Sequence, residues 1–120
     1  MNVDIDEFLK ICIDCIIKCQ QCSMYSLGRY ETGSCSRITD ECAKICSLIS
    51  YFIKHDVENY LKLLPVCINM CNISSDECNK FSYDFTTDCS RACMKMSIYC
   101  RKILSEGKNN TVGKKKLISA

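Results

Sequence analysis

The spacing of cysteine is the feature that most constrains the fold of this chain. Thirteen of its 120 residues are cysteine, and the first four are Cys12, Cys15, Cys19 and Cys22. Because successive residues of an α-helix are about 100° apart around its axis, these four side chains fall within a sector of about 80°. The pattern therefore predicts a helix with a stripe of thiols along one side.

Three later segments repeat this pattern, each with three cysteines at helical spacing. They are Cys35, Cys42 and Cys46; Cys67, Cys71 and Cys78; and Cys89, Cys93 and Cys100. Four such segments predict an all-α fold, an antiparallel up-down-up-down four-helix bundle with a cysteine-lined core. We place the bundle at residues 1–104, with helices at about 4–27, 34–54, 57–80 and 86–104. Residues 105–120 are rich in Gly, Asn and Lys and predict a mobile basic tail.

Local signals suggest where the helices begin and end. Asp4 or Asp6 can cap the first helix, and Ser34 or Ser36 can open the second. Pro65 falls inside the third segment, where it either kinks the helix or marks its first turn.

The cysteines are unevenly distributed along the predicted helices. They crowd the C-terminal part of the first and third helices and begin near the N-terminus of the second and fourth. In an antiparallel bundle these parts share one end, so we expect a tube of thiols that opens near residues 28–33 and 81–84. The other end should be a hydrophobic plug formed by Ile5, Phe8, Ile49, Ile53, Tyr60, Leu63, Leu64, Ile103 and Leu104.

So much cysteine is usual in secreted disulfide scaffolds, but three features argue against one here. The cysteine count is odd. Helical neighbours have Cβ atoms about 5–6 Å apart, whereas a disulfide needs about 3.5–4.5 Å. The N-terminal segment is acidic and lacks signal-peptide features, so we expect a cytoplasmic protein. No apolar run is long enough for a membrane span, and neither the net charge of +2 nor the absence of Trp indicates a nucleic-acid partner.

A core lined with thiols favours a soft monovalent metal. Small side chains leave cavities, and buried thiolates without a compensating charge are unfavourable. Cu(I) prefers thiolates and neutralises one thiolate per ion, so many ions can be held in one chain. Zinc or a general soft-metal buffer is the alternative, although zinc needs four ligands per ion and thirteen thiols would hold far fewer ions. Iron–sulfur clusters usually take their cysteines from loops. A thiol redox protein is the rival from another class, and the helical spacing disfavours it.

The four cysteine motifs resemble those of the bacterial copper storage proteins, four-helix bundles that hold Cu(I) inside a cysteine-lined core. The resemblance covers residues 8–102 and is carried by C-x2-C-x3-C-x2-C from residue 12, C-x6-C-x3-C from residue 35, and C-x3-C-x6-C from residues 67 and 89. It implies a cytosolic homotetramer. It also implies recurrent Cu(I)-binding pairs: Cys15 with Cys19, Cys42 with Cys46, Cys67 with Cys71, and Cys89 with Cys93.

The chain departs from this family pattern at two sets of positions. Family members often have Cys where this chain has Phe8, Ser74, Thr86 and Met96. They often have His after the third group of cysteines and before the fourth helix, where this chain has Phe81 and Tyr83–Phe85. The resemblance therefore implies a smaller capacity and no histidine-lined entrance.

These patterns together predict a protein that stores or detoxifies copper and is not an enzyme. All thirteen cysteines are candidate metal ligands. Met96 lies in register with the last three cysteines, so its thioether is a candidate weak ligand as well as an ordinary core side chain. We expect copper ions and other copies of the chain as partners, and neither nucleic acid nor a membrane.

Overall fold

The part of the protein that the computed structural model describes contains four helices. The structure describes residues 4–55 and 59–109. Within these residues there is no strand, and the helices are α1 (Ile5–Ser26), α2 (Gly33–Lys54), α3 (Tyr60–Cys78) and α4 (Asp84–Asn109). α1 and α3 each pack against both α2 and α4. The predicted four-helix bundle is therefore confirmed.

Contacts between helix ends show that sequential helices are antiparallel. The Ser23 hydroxyl near the end of α1 donates to the Ser36 carbonyl near the start of α2, at 2.8 Å. The Tyr99 hydroxyl on α4 donates to the carbonyl of Asp4, which precedes α1, at 3.4 Å. The end of α1 thus lies beside the start of α2, and the start of α1 lies beside the C-terminal half of α4.

Capping explains the bounds of α1. The Asp4 carboxylate accepts a hydrogen bond from the Glu7 amide at 3.1 Å, so Asp4 is the cap rather than Asp6. Acidic residues in the first turn also interact favourably with the positive end of the helix dipole. The helix ends before Gly28, whose φ of 84° favours glycine.

The bounds of α2 and α3 differ from the prediction by a few residues. α2 begins at Gly33 after Thr32, and no side-chain cap bond forms there, so neither serine opens the helix. α3 begins at Tyr60 and ends at Cys78, and the predicted start at residue 57 lies outside the described residues. Pro65 lies inside α3, beyond its first turn, which excludes the prediction that it marks the helix start.

α4 is longer than predicted at both ends. Its first turn includes Thr86, whose hydroxyl donates to the Tyr83 carbonyl at 2.9 Å and stabilises a start at Asp84. The helix continues past Leu104 to Asn109, so a tail beginning at residue 105 is wrong. A composition rich in Gly, Asn and Lys does not by itself distinguish the last turns of a helix from a tail. Residues 110–120 lie outside the described residues.

The hydrophobic plug lies at the end of the bundle away from the cysteines. Each helix contributes one side chain that is at most 2% exposed: Phe8, Ile49, Leu64 and Ile103. The Phe8 ring stacks on Tyr99 with centroids 5.5 Å apart and packs against Tyr60 at 6.2 Å. Ile5 is 38% exposed, so its predicted place in the plug is wrong.

Candidate metal centre

Every cysteine side chain points into the bundle. All thirteen are free thiols with 0% exposure. This arrangement follows from the spacing, because each stripe of cysteines forms the buried face of its own helix. The structure therefore places the whole predicted set in one core.

Three groups of thiols lie close enough to share metal ions. Within each group, all Sγ atoms are within 4.8 Å of one another. The inner groups have four thiols each and share Cys15 and Cys42, whereas the outer group has three and lies near the interhelical loops. The groups are Cys15, Cys19, Cys42 and Cys93; Cys15, Cys42, Cys46 and Cys71; and Cys22, Cys78 and Cys89.

The distances between sulfurs suit a bridging metal better than a disulfide. The shortest joins Cys19 on α1 to Cys93 on α4 at 3.5 Å, and Cys42 lies 3.7 Å from Cys71. A disulfide bond is about 2.05 Å long. Metal–thiolate bonds of about 2.3 Å, as for zinc, place two sulfurs up to about 4.6 Å apart across one ion.

The three groups join into one column of sulfur along the bundle. Cys89 of the outer group lies 3.7 Å from Cys19 of the first inner group. Further along, Cys46 lies 3.9 Å from Cys67, which lies 3.8 Å from Cys71. An ion can therefore move along the column by exchanging one thiolate for the next.

Four cysteines lie outside the three groups. The Cys12 thiol donates to the carbonyl of Cys46 at 3.1 Å, and the Cys35 thiol to the carbonyl of Glu77 at 3.9 Å. Cys100 hydrogen bonds with Cys67, the remaining pair at the plug end of the column. The structure thus groups nine cysteines, and the role of all thirteen as ligands stays a prediction.

The pairs implied by the family resemblance are formed to different degrees. Cys15 and Cys19 are 4.0 Å apart, and Cys67 and Cys71 are 3.8 Å apart. Cys42 and Cys46 share the second inner group. Cys89 and Cys93 belong to different groups, although each lies close to Cys19 on α1, at 3.7 and 3.5 Å.

Hydrogen bonds between thiols separate the pKa values of the outer group. Thiols of Cys78 and Cys89 hydrogen bond to Cys22 and lower its pKa to about 3. Donation to Cys22 raises the pKa of Cys78, and bonds to Cys19 and Cys22 raise that of Cys89. The outer group therefore combines one thiol of lowered pKa with two thiols of raised pKa.

The rest of the core shows the same alternation. Hydrogen bonds from Cys15 and other thiols lower the pKa values of Cys42 and Cys93, and a bond from Cys100 lowers that of Cys67. Burial raises the pKa of Cys35 to about 11. Thiols of lowered and of raised pKa therefore lie side by side in the core, and metal that replaces thiol protons releases those protons to solvent.

Polar side chains adjoin the thiols, and two of them, Ser26 and Thr39, were not identified from the sequence. The Cys93 thiol donates to the Ser74 hydroxyl at 3.3 Å, and Ser26 lies 3.9 Å from Cys22. Thr39 is also fully buried. The signal was present, because Ser26 and Thr39 each follow a cysteine by four residues.

Met96 and the single histidine lie in different surroundings. Met96 is fully buried within the cysteine-containing core, as its register predicts, and its role as a weak ligand stays a prediction. His55 lies at the end of α2, where its Nδ1 is 2.9 Å from the Tyr51 carbonyl and its ring stacks on Tyr51. It is exposed and belongs to none of the thiol groups.

The chain is similar to one protein family and to a known bacterial sequence. The profile of the family described as "Csp: Copper storage protein" matches residues 1–105. The "Uncharacterized cysteine-rich protein YhjQ" of Bacillus subtilis is 28% identical over 98 residues, which cover 79% of this chain and 91% of the relative.

Solved structures of similar fold include a metal-loaded and a metal-free protein. "Cu(I)-bound Copper Storage Protein BsCsp3" is 27% identical with a TM-score of 0.76, covering 81% of this chain and 94% of that one. Apo-Csp3 from Bacillus subtilis is 27% identical with a TM-score of 0.77, covering 82% and 97%. Among the described residues, no helix has the length and apolar character needed to cross a bilayer.

Proposed function

The chain belongs to the copper storage protein family, and from this premise we propose that its buried cysteines hold multiple Cu(I) ions for copper storage or detoxification. The three thiol groups in one closed core are the observation that carries the proposal. The related BsCsp3 structure, which is Cu(I)-bound, supports the same cargo here. In this function copper is the cargo, and burial keeps it away from water and other proteins.

We propose all thirteen cysteines as ligands, with the nine grouped thiols as the main ones. Cys12, Cys35, Cys67 and Cys100 extend the column on both sides of the groups. Each Cu(I) that replaces a thiol proton leaves the core electrically neutral, so filling can proceed without accumulating charge. Met96 is a candidate for one additional weak contact through its thioether.

The way the groups overlap argues against zinc as the main cargo. Zinc needs four ligands in a tetrahedron. The two four-thiol groups share Cys15 and Cys42, so both cannot be complete zinc sites at once. Thiolates shared between neighbouring sites suit bridged Cu(I) ions instead, and zinc remains the alternative because either group alone has four thiols.

One structural observation supports the thiol redox alternative. Strain within a helix disfavours disulfides between neighbouring turns, but Cys19 and Cys93 are on different helices, 3.5 Å apart. Against this, both side chains are fully buried, which shields them from oxidants in solution. Counting thiols before and after a mild oxidant separates the cases, since rapid reversible loss with intact helices would favour the redox protein.

We further propose a non-enzymatic, cytoplasmic protein that assembles as a homotetramer. A fully buried set of thiols without an adjacent histidine supports a role in binding rather than nucleophilic catalysis. Free thiols throughout the core support a reducing compartment. The tetramer rests on the family resemblance, and sedimentation of the apo and loaded protein would test it.

An anaerobic titration of the fully reduced protein with Cu(I), against a competing chromogenic chelator, tests the function. Storage predicts uptake of many ions per chain, approaching the cysteine count, before the chelator binds copper. A parallel titration with Zn(II) is the control. Saturation at one or two Cu(I), or stronger retention of zinc, would contradict storage and indicate a zinc buffer or structural metal site.

A further inference from the structure

The two ends of the sulfur column are closed by side chains of different size. At the far end, the plug consists of large side chains, one from each helix. At the near end, the buried residues Ser26, Thr32 and Thr86 form what we call the hydroxyl collar. The Ser26 hydroxyl is 3.9 Å from the Cys22 sulfur, so the collar directly adjoins the outer thiol group. Small hydroxyl side chains, rather than a layer of large buried ones, therefore adjoin the column at this end.

Four residues near this end contact one another, and we call them the aromatic clasp: Tyr25, Arg29, Tyr83 and Phe85. The Arg29 guanidinium lies over the rings of Tyr83 and Phe85, 5.2 and 5.5 Å from their centroids. Those two rings stack on each other at 5.2 Å. Tyr25 meets Phe85 edge-on at 5.6 Å. The clasp therefore joins the end of α1 and the following loop to the start of α4.

Two hydrogen bonds orient the clasp. Arg29 Nε donates to the Tyr25 carbonyl at 2.9 Å, which fixes the guanidinium beside the rings. The Tyr83 hydroxyl donates to a carboxylate oxygen of Glu31 at 3.1 Å, which links the same loop to the segment just before α4. Tyr25 and Tyr83 are 54% and 36% exposed. Contacts this close to solvent are individually weak, so they can break without unfolding the bundle.

We propose that the aromatic clasp is the gate through which Cu(I) enters and leaves the sulfur column, and that its opening sets the rate of exchange. The inference rests on the proposed function. Opening separates Arg29 from Tyr83 and Phe85 and exposes the collar, with the outer thiol group directly behind it. A small thiol complex of Cu(I) then exchanges its sulfur ligands for those of the protein, while copper stays Cu(I) and the displaced protons pass to solvent.

Two alanine variants test the gate, each with a matched control. Arg29→Ala and Tyr83→Ala remove the two halves of the main contact. Arg91→Ala removes another exposed arginine, paired with Asp88, and Tyr51→Ala removes another exposed tyrosine, stacked on His55 at the plug end.

Reduced apo protein is labelled with N-ethylmaleimide, and Cu(I) uptake from a chelator is followed in parallel. We expect both rates to rise about fivefold or more in the clasp variants only, with unchanged final capacity.

The order of labelling supplies a second readout. Peptide mapping at short times should find the label first on Cys22, Cys78 and Cys89 in the clasp variants. Labelling that begins at Cys12, Cys67 or Cys100 would show entry from the plug end and overturn the gate. Equal stability of clasp and control variants in urea excludes global unfolding as the source of faster labelling.

The outcomes separate the gate from the storage function. Faster labelling without Cu(I) uptake would support the gate and overturn storage. Labelling and uptake at control rates, with normal capacity, would overturn the gate and leave storage intact. If an alanine variant loses its helical circular dichroism, Arg29→Lys and Tyr83→Phe replace it. They keep the charge and the ring but remove the Arg29 Nε and Tyr83 hydroxyl hydrogen bonds that orient the clasp. Both should still exchange faster than the controls, and control rates in both would overturn the gate.

Discussion

At the scale of single residues, hydroxyl and thiol side chains of nearly equal size have different roles in this core. The Ser74 hydroxyl oxygen lies 3.3 Å from the Cys93 sulfur, yet this oxygen is a poor ligand for a soft metal. The hydroxyls of the collar likewise cannot retain Cu(I). The position of the sulfur atoms alone therefore sets the capacity of the bundle.

Ser74→Cys should raise the capacity. The new thiol would lie beside Cys93 in a fully buried position, and the change in side-chain volume is small. We expect about one more Cu(I) per chain in the anaerobic titration. Ser47→Cys on the exposed face of α2 is the control, and an equal gain there would refute the argument from position.

Cys42→Ser should lower the capacity more than Cys12→Ser. Cys42 belongs to both inner groups, whereas Cys12 belongs to none and bonds to a backbone carbonyl. We expect a loss of about two Cu(I) per chain for the first substitution and at most about one for the second. The same titration measures both, and equal losses would show that the groups do not organise the bound copper.

At the scale of helices, α3 and α4 are held together by polar side chains as well as by the thiol core. The Ser90 hydroxyl donates to the Asn79 side chain at 2.8 Å and lies 2.8 Å from the Ser75 hydroxyl. The Ser97 hydroxyl donates to the Asn72 side chain, also at 2.8 Å. These bonds fix the relative position of two helices whose facing cysteines must meet at set distances.

Ser90→Ala should destabilise the apo protein. The substitution leaves the buried Ser75 hydroxyl without its close partner, and an unsatisfied buried polar group costs about 1–3 kcal/mol. Urea unfolding followed by circular dichroism measures the change, with exposed Ser47→Ala as the control. A midpoint equal to that of the control would mean that water replaces the lost bond at no cost.

At the scale of the whole molecule, thiol ionisation links copper content to the pH dependence of stability. Cys35 has a folded pKa of about 11 because burial disfavours its thiolate. An unfolded thiol ionises near pH 8.5. The contribution of Cys35 to the stability of the folded protein is therefore fully present below about pH 8.5 and is lost as the pH rises toward 11.

The apo protein should accordingly lose stability between about pH 8.5 and 11. Its urea midpoint should fall across this range, and the fall should be smaller in Cys35→Ser, which has no thiol to ionise there. Copper-loaded protein should show the smallest fall, because its thiols have already lost their protons. A parallel fall in all three samples would assign the effect to tyrosines and lysines instead.

The sequence alone was sufficient for the bundle, the buried stripes and the division between thiols and plug. The stripes depend on periodicity within each helix, which 100° per residue determines directly. The division between thiols and plug follows from how the cysteines are distributed along antiparallel helices. Helix ends were less accurate: the Thr86 bond that places the start of α4 at Asp84, and the continuation of α4 past Leu104, leave little signal in composition.

The grouping of the thiols could not be read from the sequence. Cys89 and Cys93 are neighbours on one helix, yet they belong to different groups. Cys89 is part of the outer group and lies close to Cys19, whereas Cys93 is part of an inner group. Such contacts depend on how far each helix is rotated and shifted against the next. The same holds for Arg29 and Phe85, which are distant in sequence and meet because the loop after α1 and the first turn of α4 lie at the same end of the bundle. Local spacing determined which face each thiol occupies, and packing between helices decided which thiols meet.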